Sequence, residues 1–336
     1  MRLELFSPDL SQRHEITHAI SSSFSEYYND IGKFTVVLPM DDYNVSIVEL
    51  NAVLYIVERK LAYEVAEIRY NCDSNEITLN GFSLNNKLNR RIIASSGSIS
   101  NVEKDVYSIV NANLRGLDIL IAPEKGLSET INATSISGKE LLQGVKSILT
   151  KAKLGNRVVL DYRNKTETFE IYRGVDRTSG LDAVMFVQER GTAAGLVVDK
   201  DISTYKNVCY CVAKYADGTE FTAVAGKTDG EDRRELISEF SGDSQKNGES
   251  NEDFYRRVQN YAALQLGNYR DRSGFDIDAD GDEIGIAYNV GDLVWCVSLR
   301  LGIKYKARIT AAKYTQDING STIKLVIGDP ILTVLG

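Results

Sequence analysis

Apolar and polar residues alternate with a period of two in many short segments of this chain, and this pattern predicts β-strands. The segments are TVVLP, LYIVE, EVAEIRY, EITLNG, RVVLDYR, ETFEIYR, VMFVQE, NVCYCVAKY, LVWCVS, ARITAAKY and TIKLVIG. Asn319-Gly320 and Asp217-Gly218 lie between such segments and are typical of hairpin turns that need positive φ. The chain is therefore expected to be rich in β-structure at both ends.

Three segments have apolar residues at helical spacing instead. Each begins with a serine followed three residues later by an acidic residue, which is the pattern of a capping box. The predicted helices begin at Ser100, Ser137 and Ser250, and the third covers residues 251–268. The polar stretch SGDSQKNGESNE before the third helix predicts a mobile loop. The first two helices place an α+β segment at residues 98–180.

Two of the β regions share a pattern. Residues 51–84 and residues 291–331 each contain an apolar strand, a long alternating strand, a polar turn and a short strand that closes at glycine. An internal duplication explains this likeness, and so does chance similarity between two meandering sheets. The sequence alone leaves both explanations open.

The stretch FDIDADGDEIG, residues 275–285, begins like a calcium-binding EF-hand loop. Its acidic residues alternate along the chain: Asp276, Asp278, Asp280 and Asp282. An EF-hand also needs a carboxylate at the twelfth position, and that position is Ala287 here. Because strand-like residues follow, the frame is predicted to be strand, acidic turn, strand. A solvated turn and a weak calcium site both stay open for these aspartates.

No other constellation for catalysis or metal binding assembles. His14 and His18 lie in a stretch that is predicted to be one strand, which places them about 13 Å apart and unable to share a zinc ion. The four cysteines, Cys72, Cys209, Cys211 and Cys296, are expected to be free thiols. G-x-S-x-G is absent, and GKT at 226–228 lacks the glycine of a P-loop. No catalytic or cofactor-binding residue is therefore predicted, and the chain is not expected to be an enzyme.

Composition narrows the classes of partner. The net charge is −8 and no basic cluster stands out, so a sequence-specific nucleic-acid surface is not expected. No apolar run approaches the roughly 20 residues of a membrane helix, so no membrane segment is expected. The first residues, MRLELFSPDLSQRHE, lack the apolar core of a signal peptide, so secretion by that route is not expected.

Several stretches resemble, in the same order, the tail hub proteins of siphophages, prophages and phage-tail-like bacteriocins. The fold of that family is similar to the central baseplate hub of contractile phages. The stretches are FSEYYNDIGKFTVVLPM, LNGFSLNNKLNRRII, AVMFVQERGTAAGLVVDKDISTYKNVCYCVA, GEDRRELISEF, YNVGDLVWCVS and IGDPIL. They extend over nearly the whole chain, roughly residues 24–332.

The resemblance implies an α+β, β-rich fold with two related antiparallel β-barrel-like domains and α/β insertions. On this interpretation residues 1–97 form the first β-barrel-like domain and residues 98–180 an α+β insertion domain. Residues 181–336 form a second β-rich region with the helix 251–268 and a barrel-like end. The resemblance also implies a homotrimeric ring, in which three chains with two similar barrels each present six roughly equivalent faces.

The function that the resemblance implies is structural. A hub joins the distal end of a tail tube to a spike or tip protein and lines the exit channel, and a net charge of −8 suits a wall that does not hold DNA. The expected partners are the tube, spike or tip, tape-measure and other baseplate proteins. The expected place is a virion tail or tail-like particle assembled in the bacterial cytoplasm. Lysis or receptor binding is expected of another chain.

Two alternatives to a hub remain at this point. One is a calcium-dependent extracellular binding module, which would use the four aspartates. The other is a β-rich cell-wall hydrolase of the tail tip, which would need a pair of carboxylates in a groove. No cofactor is expected apart from that calcium ion.

Overall fold

The computed structural model describes residues 1–133, 136–190, 193–226, 229–269, 272–281 and 283–334. The chain forms two compact units. The main unit consists of Met1–Leu196 and Asp276–Gly336, and the inserted unit consists of Val197–Phe275. The predicted boundaries at residues 97–98 and 180–181 do not coincide with this division, because the inserted unit interrupts the third predicted segment.

The main unit begins with seven strands and one short helix. These are β1 (Leu3–Phe6), β2 (Arg13–Ile16), β3 (Ser21–Tyr27), β4 (Lys33–Pro39), α1 (Asp42–Ile47), β5 (Val53–Ile56), β6 (Leu61–Asn71) and β7 (Glu76–Ser83). The strands are rich in the β-branched and aromatic residues that fit a pleated, half-buried surface. In β4 and β7 the buried residues alternate with partly exposed ones, as the period of two predicts.

A helix-containing segment follows a 3-10 helix at Leu84–Arg90. Its elements are β8 (Ile99–Asn101), α2 (Val102–Asn113), β9 (Leu120–Ile121), β10 (Thr130–Ala133), α3 (Leu141–Ala152), β11 (Gly155–Asp161) and β12 (Thr166–Tyr172). The predicted apolar faces of both helices are buried in one core with β11 and β12.

The chain then enters and leaves the inserted unit. β13 (Met185–Val187), a 3-10 helix at Gln188–Arg190 and β14 (Ala193–Asp201) come first. The inserted unit contains β15 (Val208–Lys214), β16 (Glu220–Gly226), β17 (Glu235–Glu239), α4 (Asn251–Leu266) and a 3-10 helix at Gly267–Tyr269. Its sheet has the order β16-β15-β17, and α4 buries Phe254, Val258 and Ala262 against it. Leu264 of the same helix is 62% exposed.

The chain returns to the main unit through four strands. They are β18 (Arg272–Asp280), β19 (Leu293–Ser298), β20 (Ile303–Asp317) and β21 (Gly320–Val334). One sheet contains most strands of the main unit, in the order β14-β18-β21-β20-β3-β4-β7-β6-β5-β1-β2. β19 joins it through β20, and β13 pairs with β19.

The order of pairing occurs twice in this sheet. In what we call the first repeat, the neighbours are β3, β4, β7, β6 and β5. In the second repeat they are β14, β18, β21, β20 and β19, in the same chain order and with the same meander of the last three strands. The similarity predicted between residues 51–84 and residues 291–331 is therefore a similarity of topology.

Backbone hydrogen bonds repeat as well. Asn51 N–H donates to the Val65 carbonyl and Val65 N–H donates to the Ala52 carbonyl, both at 2.8 Å. In the second repeat Gly291 and Asp292 bond Ile309 in the same way, at 2.7 and 2.9 Å. The chain takes a positive φ at both Asn51 and Gly291. The bulge that follows Val65 in β6 has a counterpart after Ile309 in β20.

The turns within the meanders are also alike. In the turn Val57–Lys60, which we call the first turn, Lys60 has a φ of 54° and its N–H donates to the Val57 carbonyl. In the second turn, Leu299–Gly302, Gly302 has a φ of 62° and its N–H donates to the Leu299 carbonyl. Such detailed agreement favours duplication over a chance likeness of two meanders.

Two of the three predicted helix starts are wrong. α4 does begin as predicted, since the Ser250 hydroxyl accepts from the Asp253 N–H. α2 is capped by Asn101, one residue after Ser100, and the Asn101 side chain accepts from the Lys104 N–H. α3 begins four residues after Ser137, because residues 138–141 are engaged in backbone hydrogen bonds with residues 91–93.

The stretch before α4, predicted to be mobile, is tied down by hydrogen bonds. Arg257 donates to the carbonyls of Asp243 and Ser244 and pairs with Glu249. Gln245 donates to the Glu249 carbonyl and accepts from the Ala216 N–H. These hydrogen bonds connect the loop to α4 and to the residues that follow β15.

Candidate functional site

The two repeats are joined through a ladder between β3 and β20. Ser22–Tyr27 pair antiparallel with Ala311–Gln316, the part of β20 that follows the bulge. Tyr314 is buried in this ladder, and its hydroxyl donates to Glu26 Oε2 at 3.0 Å. We call the ladder and the side chains that surround it the repeat junction.

Arg59, in the first turn, connects this turn to the second repeat through side-chain contacts at the junction. Its Nη1 donates to the Ile284 carbonyl at 2.5 Å, although the two residues are 225 positions apart. Its Nη2 lies 3.7 Å from Glu26 Oε2, and its guanidinium lies 5.4 Å from the centroid of the Tyr314 ring. The guanidinium thus contacts a carbonyl, a carboxylate and an aromatic face together.

Burial governs the titration of the groups around Arg59. It raises the pKa of the Glu26 carboxyl, and the positive charge of Arg59 opposes that rise only in part. Burial also raises the pKa of the Tyr63 hydroxyl, which donates to the Ser25 carbonyl at 3.1 Å. Tyr314 has its pKa raised for the same reason. These phenols therefore stay neutral donors that hold the ladder.

A cavity of about 500 Å³ adjoins the junction. Several stretches that resemble the hub family contribute to its lining, with Glu26, Asp30, Asn85, Asn289 and Asp292 among the lining residues. The Asp292 carboxylate accepts from the N–H groups of Val175 and Asn289 at 2.8 and 3.0 Å, and it pairs with Arg177. The Asp292 carboxylate, which lies in the stretch YNVGDLVWCVS, thus anchors backbone groups.

Asparagines and a tyrosine connect the same region to the helix-containing segment. Asn156 donates to Asn29 at 2.6 Å and accepts from Asn85 at 3.0 Å. The Tyr28 hydroxyl lies within hydrogen-bond distance of the carbonyls of Lys153 and Tyr172, at 3.1 and 3.2 Å. These hydrogen bonds between protein groups hold the two segments together.

Three of the four aspartates of the calcium candidate lie in a strand and not in a turn. Asp276, Asp278 and Asp280 lie within β18, and Asp282 lies outside the described residues. The prediction of an acidic turn is wrong because FDIDAD itself alternates apolar and acidic residues, which is a strand pattern. The side chains of these residues are not described, so calcium binding here stays a prediction, which melting temperatures with and without a chelator test.

The histidines and cysteines are dispersed. The prediction of a single strand that contains both His14 and His18 is wrong. His14 lies half-buried in β2, and His18 lies exposed after the end of that strand. Cys209, Cys211 and Cys296 are buried free thiols and Cys72 is an exposed one. Among the side chains that the structure describes, no group of three acidic, histidine or cysteine residues is placed to hold a metal ion.

Membrane insertion by a helix finds no support in the described part of the chain. None of its helices combines the length and the apolar character that a membrane span requires. The residues that sequence analysis missed are Glu26, Arg59 and Ile284. The available signal was the likeness between the turns VERK and LRLG, which precede the long strands of the two repeats.

Comparison with known proteins shows the family of this chain and proteins of similar fold. The profile of the Siphovirus ReqiPepy6 Gp37-like protein family matches residues 2–329. No curated protein sequence matches the chain significantly. Three solved structures show its fold at low sequence identity, and all three are tail proteins.

The first is a tail protein of Neisseria meningitidis MC58, with 12% identity, a TM-score of 0.60 and coverage of 98% of this chain and 97% of that one. The second is the 43 kDa tail protein of prophage MuSo2 from Shewanella oneidensis, with 10% identity, a TM-score of 0.60 and 98% of each chain covered. The third is prophage tail protein gp18 from Listeria monocytogenes EGD-e, with 14% identity, a TM-score of 0.56 and coverage of 98% and 95%.

Proposed function

Since this chain belongs to the Siphovirus ReqiPepy6 Gp37-like protein family, we propose that it is the structural hub of a phage or phage-like tail. In this role it joins the distal end of the tail tube to the spike or tip and lines the exit channel. The observation that carries the proposal is the duplication, because two repeats with one order of strand pairing lie side by side in a single sheet.

A duplicated chain solves a problem of symmetry. A tube built of hexameric rings offers six similar faces, whereas a spike with threefold symmetry offers three. Three copies of a chain with two similar repeats offer six faces to one side and keep threefold symmetry for the other. The two repeats share the order of their strands but carry different insertions. The faces that they offer are therefore similar in the sheet and differ in the inserted segments beside it.

The remaining parts of the proposal follow from this role. The partners are two further copies of the chain, the tube protein, the spike or tip protein, and the tape-measure and other baseplate proteins. The chain acts by binding and not by catalysis, and it is assembled into the tail in the cytoplasm of the bacterial host. The hydrogen-bonded carboxylates of the repeat junction support a structural role, since they hold backbone and arginine groups.

The test is to locate the protein on particles by negative-stain electron microscopy with a gold-labelled antibody. Label at one end of a tail, opposite any capsid, is the expected result. Label along the shaft would instead mean a tube or sheath protein. Protein that is soluble outside cells, with no label on particles, would favour the calcium-dependent binding module over the hub.

A further inference from the structure

The long strand β6 of the first repeat corresponds to the long strand β20 of the second repeat. In the part of the chain that the structure describes, only β20 has partner strands on both sides before and after its bulge. β20 pairs with β21 on one side, and on the other with β19 before the bulge and β3 after it. β6 pairs with β7 on one side and with β5 before the bulge. After the bulge, Glu67–Asn71 have no second strand among the described residues of the chain.

The exposure of the two strands differs accordingly. Ala311, Ala312 and Tyr314 of β20 are almost fully buried beside β3. In β6 the matching stretch is open, and Tyr70 is 48% exposed. A strand edge of this kind exposes backbone N–H and carbonyl groups that another strand can pair with.

The strand that would fill this place is identified by the repeat. Within one chain, β3 occupies the corresponding place beside β20. The counterpart of β3 in the second repeat is β14, which stands last in the order of the sheet. We propose that β14 of one copy of this chain pairs with Glu67–Asn71 of the next copy. This inference rests on the proposed ring of three copies and assigns its contact surfaces.

A second pair of surfaces leads to the same partner. Within the chain, the first turn covers the segment that precedes β19, where Arg59 holds the Ile284 carbonyl and Ile284 is 4% exposed. The segment that precedes β5 occupies the same place in the first repeat. There three apolar side chains are about half exposed: Tyr43 is 47%, Val45 46% and Leu50 54% exposed.

The second turn has the complementary character. Leu299 and Leu301 are 57% and 58% exposed, whereas the Arg59 side chain of the first turn is 14% exposed. The turn is held in shape by Glu189, whose carboxylate accepts from the Arg300 N–H at 2.9 Å and from the Ser298 hydroxyl at 3.2 Å. The second turn and the segment that precedes β5 are therefore both apolar. Burying these two surfaces against each other is favourable, because it removes apolar area from water.

The geometry therefore assigns a head-to-tail contact between copies. The second turn of one copy packs on Tyr43, Val45 and Leu50 of the next copy. β14 of the first copy pairs with β6 of that next copy and extends its sheet. The partner is a second copy because the chain already makes both contacts between its own two repeats. There β3 pairs with β20, and the first turn covers the segment that precedes β19. A contact of this type joins two different surfaces, and it closes into a ring when the rotation divides a full turn.

Cross-linking tests the assigned faces directly. In a Cys72→Ser background, chains with Leu50→Cys are mixed with chains with Leu301→Cys and treated with a short bismaleimide. We expect cross-linked dimers in the mixture and none from either variant alone, because the two faces are different. Leu120→Cys replaces Leu301→Cys as the control, since Leu120 is 51% exposed on β9 and belongs to neither surface.

A disruptive variant gives an independent readout. Leu299→Asp with Leu301→Asp places charges in the apolar contact, and we expect the mass in solution to fall from three chains to one of 37.3 kDa. Amide exchange of residues 67–71 is expected to be about tenfold faster in this variant. Residues 311–316, which β3 covers within the chain, should stay protected in both proteins. Leu120→Asp should leave the mass unchanged.

The possible results separate the two proposals. A wild-type protein that is monomeric at all concentrations overturns the proposed ring, and the assigned faces with it. A wild-type trimer that is neither cross-linked by the mixture nor dissociated by the aspartates overturns the assigned faces alone. Loss of tube-protein binding in the aspartate variant, with the trimer intact, would assign the second turn to the tube and likewise overturn this inference.

Discussion

Arg59 makes three of the side-chain contacts of the repeat junction. Its guanidinium donates to the Ile284 carbonyl, lies near Glu26 and covers Tyr314. Gly285 makes room for it, because a Cβ atom at that position would lie 1.8 Å from Arg59 Nη1. Gly285 also has a φ of 83°, a conformation that favours glycine.

We expect Gly285→Ala to lower the free energy of unfolding by about 1–3 kcal/mol, because it strains the backbone and displaces the guanidinium. Urea denaturation measures the change. Gly116→Ala is the control, since Gly116 has a φ of 82° and open space around its Cβ position. In an Arg59→Ala background the cost should approach that of the control. Equal costs in both backgrounds would show that the guanidinium is not what Gly285 accommodates.

Glu26 should make stability depend on pH. Burial raises the pKa of this carboxyl above its ordinary value of 4.5, so the folded state holds the proton more tightly than the unfolded state. The stability that wild type has relative to Glu26→Gln is therefore complete below that value and is lost as pH rises through the folded-state pKa. Each tenfold difference in proton affinity corresponds to about 1.4 kcal/mol.

Urea unfolding of wild type and Glu26→Gln between acidic and neutral pH measures this dependence. Asp161→Asn is a control of opposite sign, because hydrogen bonds from the Asn164 backbone and side chain lower the pKa of Asp161. There the advantage of wild type should grow as pH rises. Parallel pH profiles for wild type and Glu26→Gln would contradict the raised pKa.

At the scale of elements, local sequence signals succeeded where local contacts decide the structure. The period of two predicted β4, β7, β11 and β12, and the capping box at Ser250 predicted the start of α4. The same signal failed at Ser137, because backbone groups of residues 138–141 bond residues 91–93. Such partners are distant in sequence, and a capping pattern carries no information about them.

The helix start that was predicted correctly provides a test. We expect Ser250→Ala to destabilise the inserted unit by about 1 kcal/mol, because the Asp253 N–H loses its acceptor. Amide exchange of α4 measures the effect. Ser250→Thr keeps a hydroxyl at the cap and should restore most of the protection. If the alanine variant retains the exchange rates of wild type, the cap does not limit the stability of α4.

The junction between repeats was the part of the fold furthest from prediction. The likeness of residues 51–84 and 291–331 was visible as a pattern, because each region carries the same succession of strands and turns. The bond from Arg59 to Ile284 was not, since it depends on how the repeats pack. The aspartates of β18 misled for a related reason: alternating carboxylates suit both a calcium loop and a strand.

At the scale of the whole molecule, the inserted unit was not predicted. It begins and ends inside strands, at Val197 and Phe275, so no linker composition marks its boundaries. It has its own core, in which Phe254 packs with Cys209 and Cys211 between α4 and the sheet. A unit with a separate core can unfold separately, and the protein carries natural reporters for both units.

We expect Phe254→Ala to destabilise the inserted unit by about 3–5 kcal/mol, because Phe254 is 1% exposed. Pulsed alkylation in a urea series should then label Cys209 and Cys211 at lower urea, while Cys296 and the fluorescence of Trp295 in the main unit keep their midpoints. Phe169→Ala, in the main-unit core, should do the reverse. Equal shifts of all probes in either variant would show that the two units unfold as one cooperative structure.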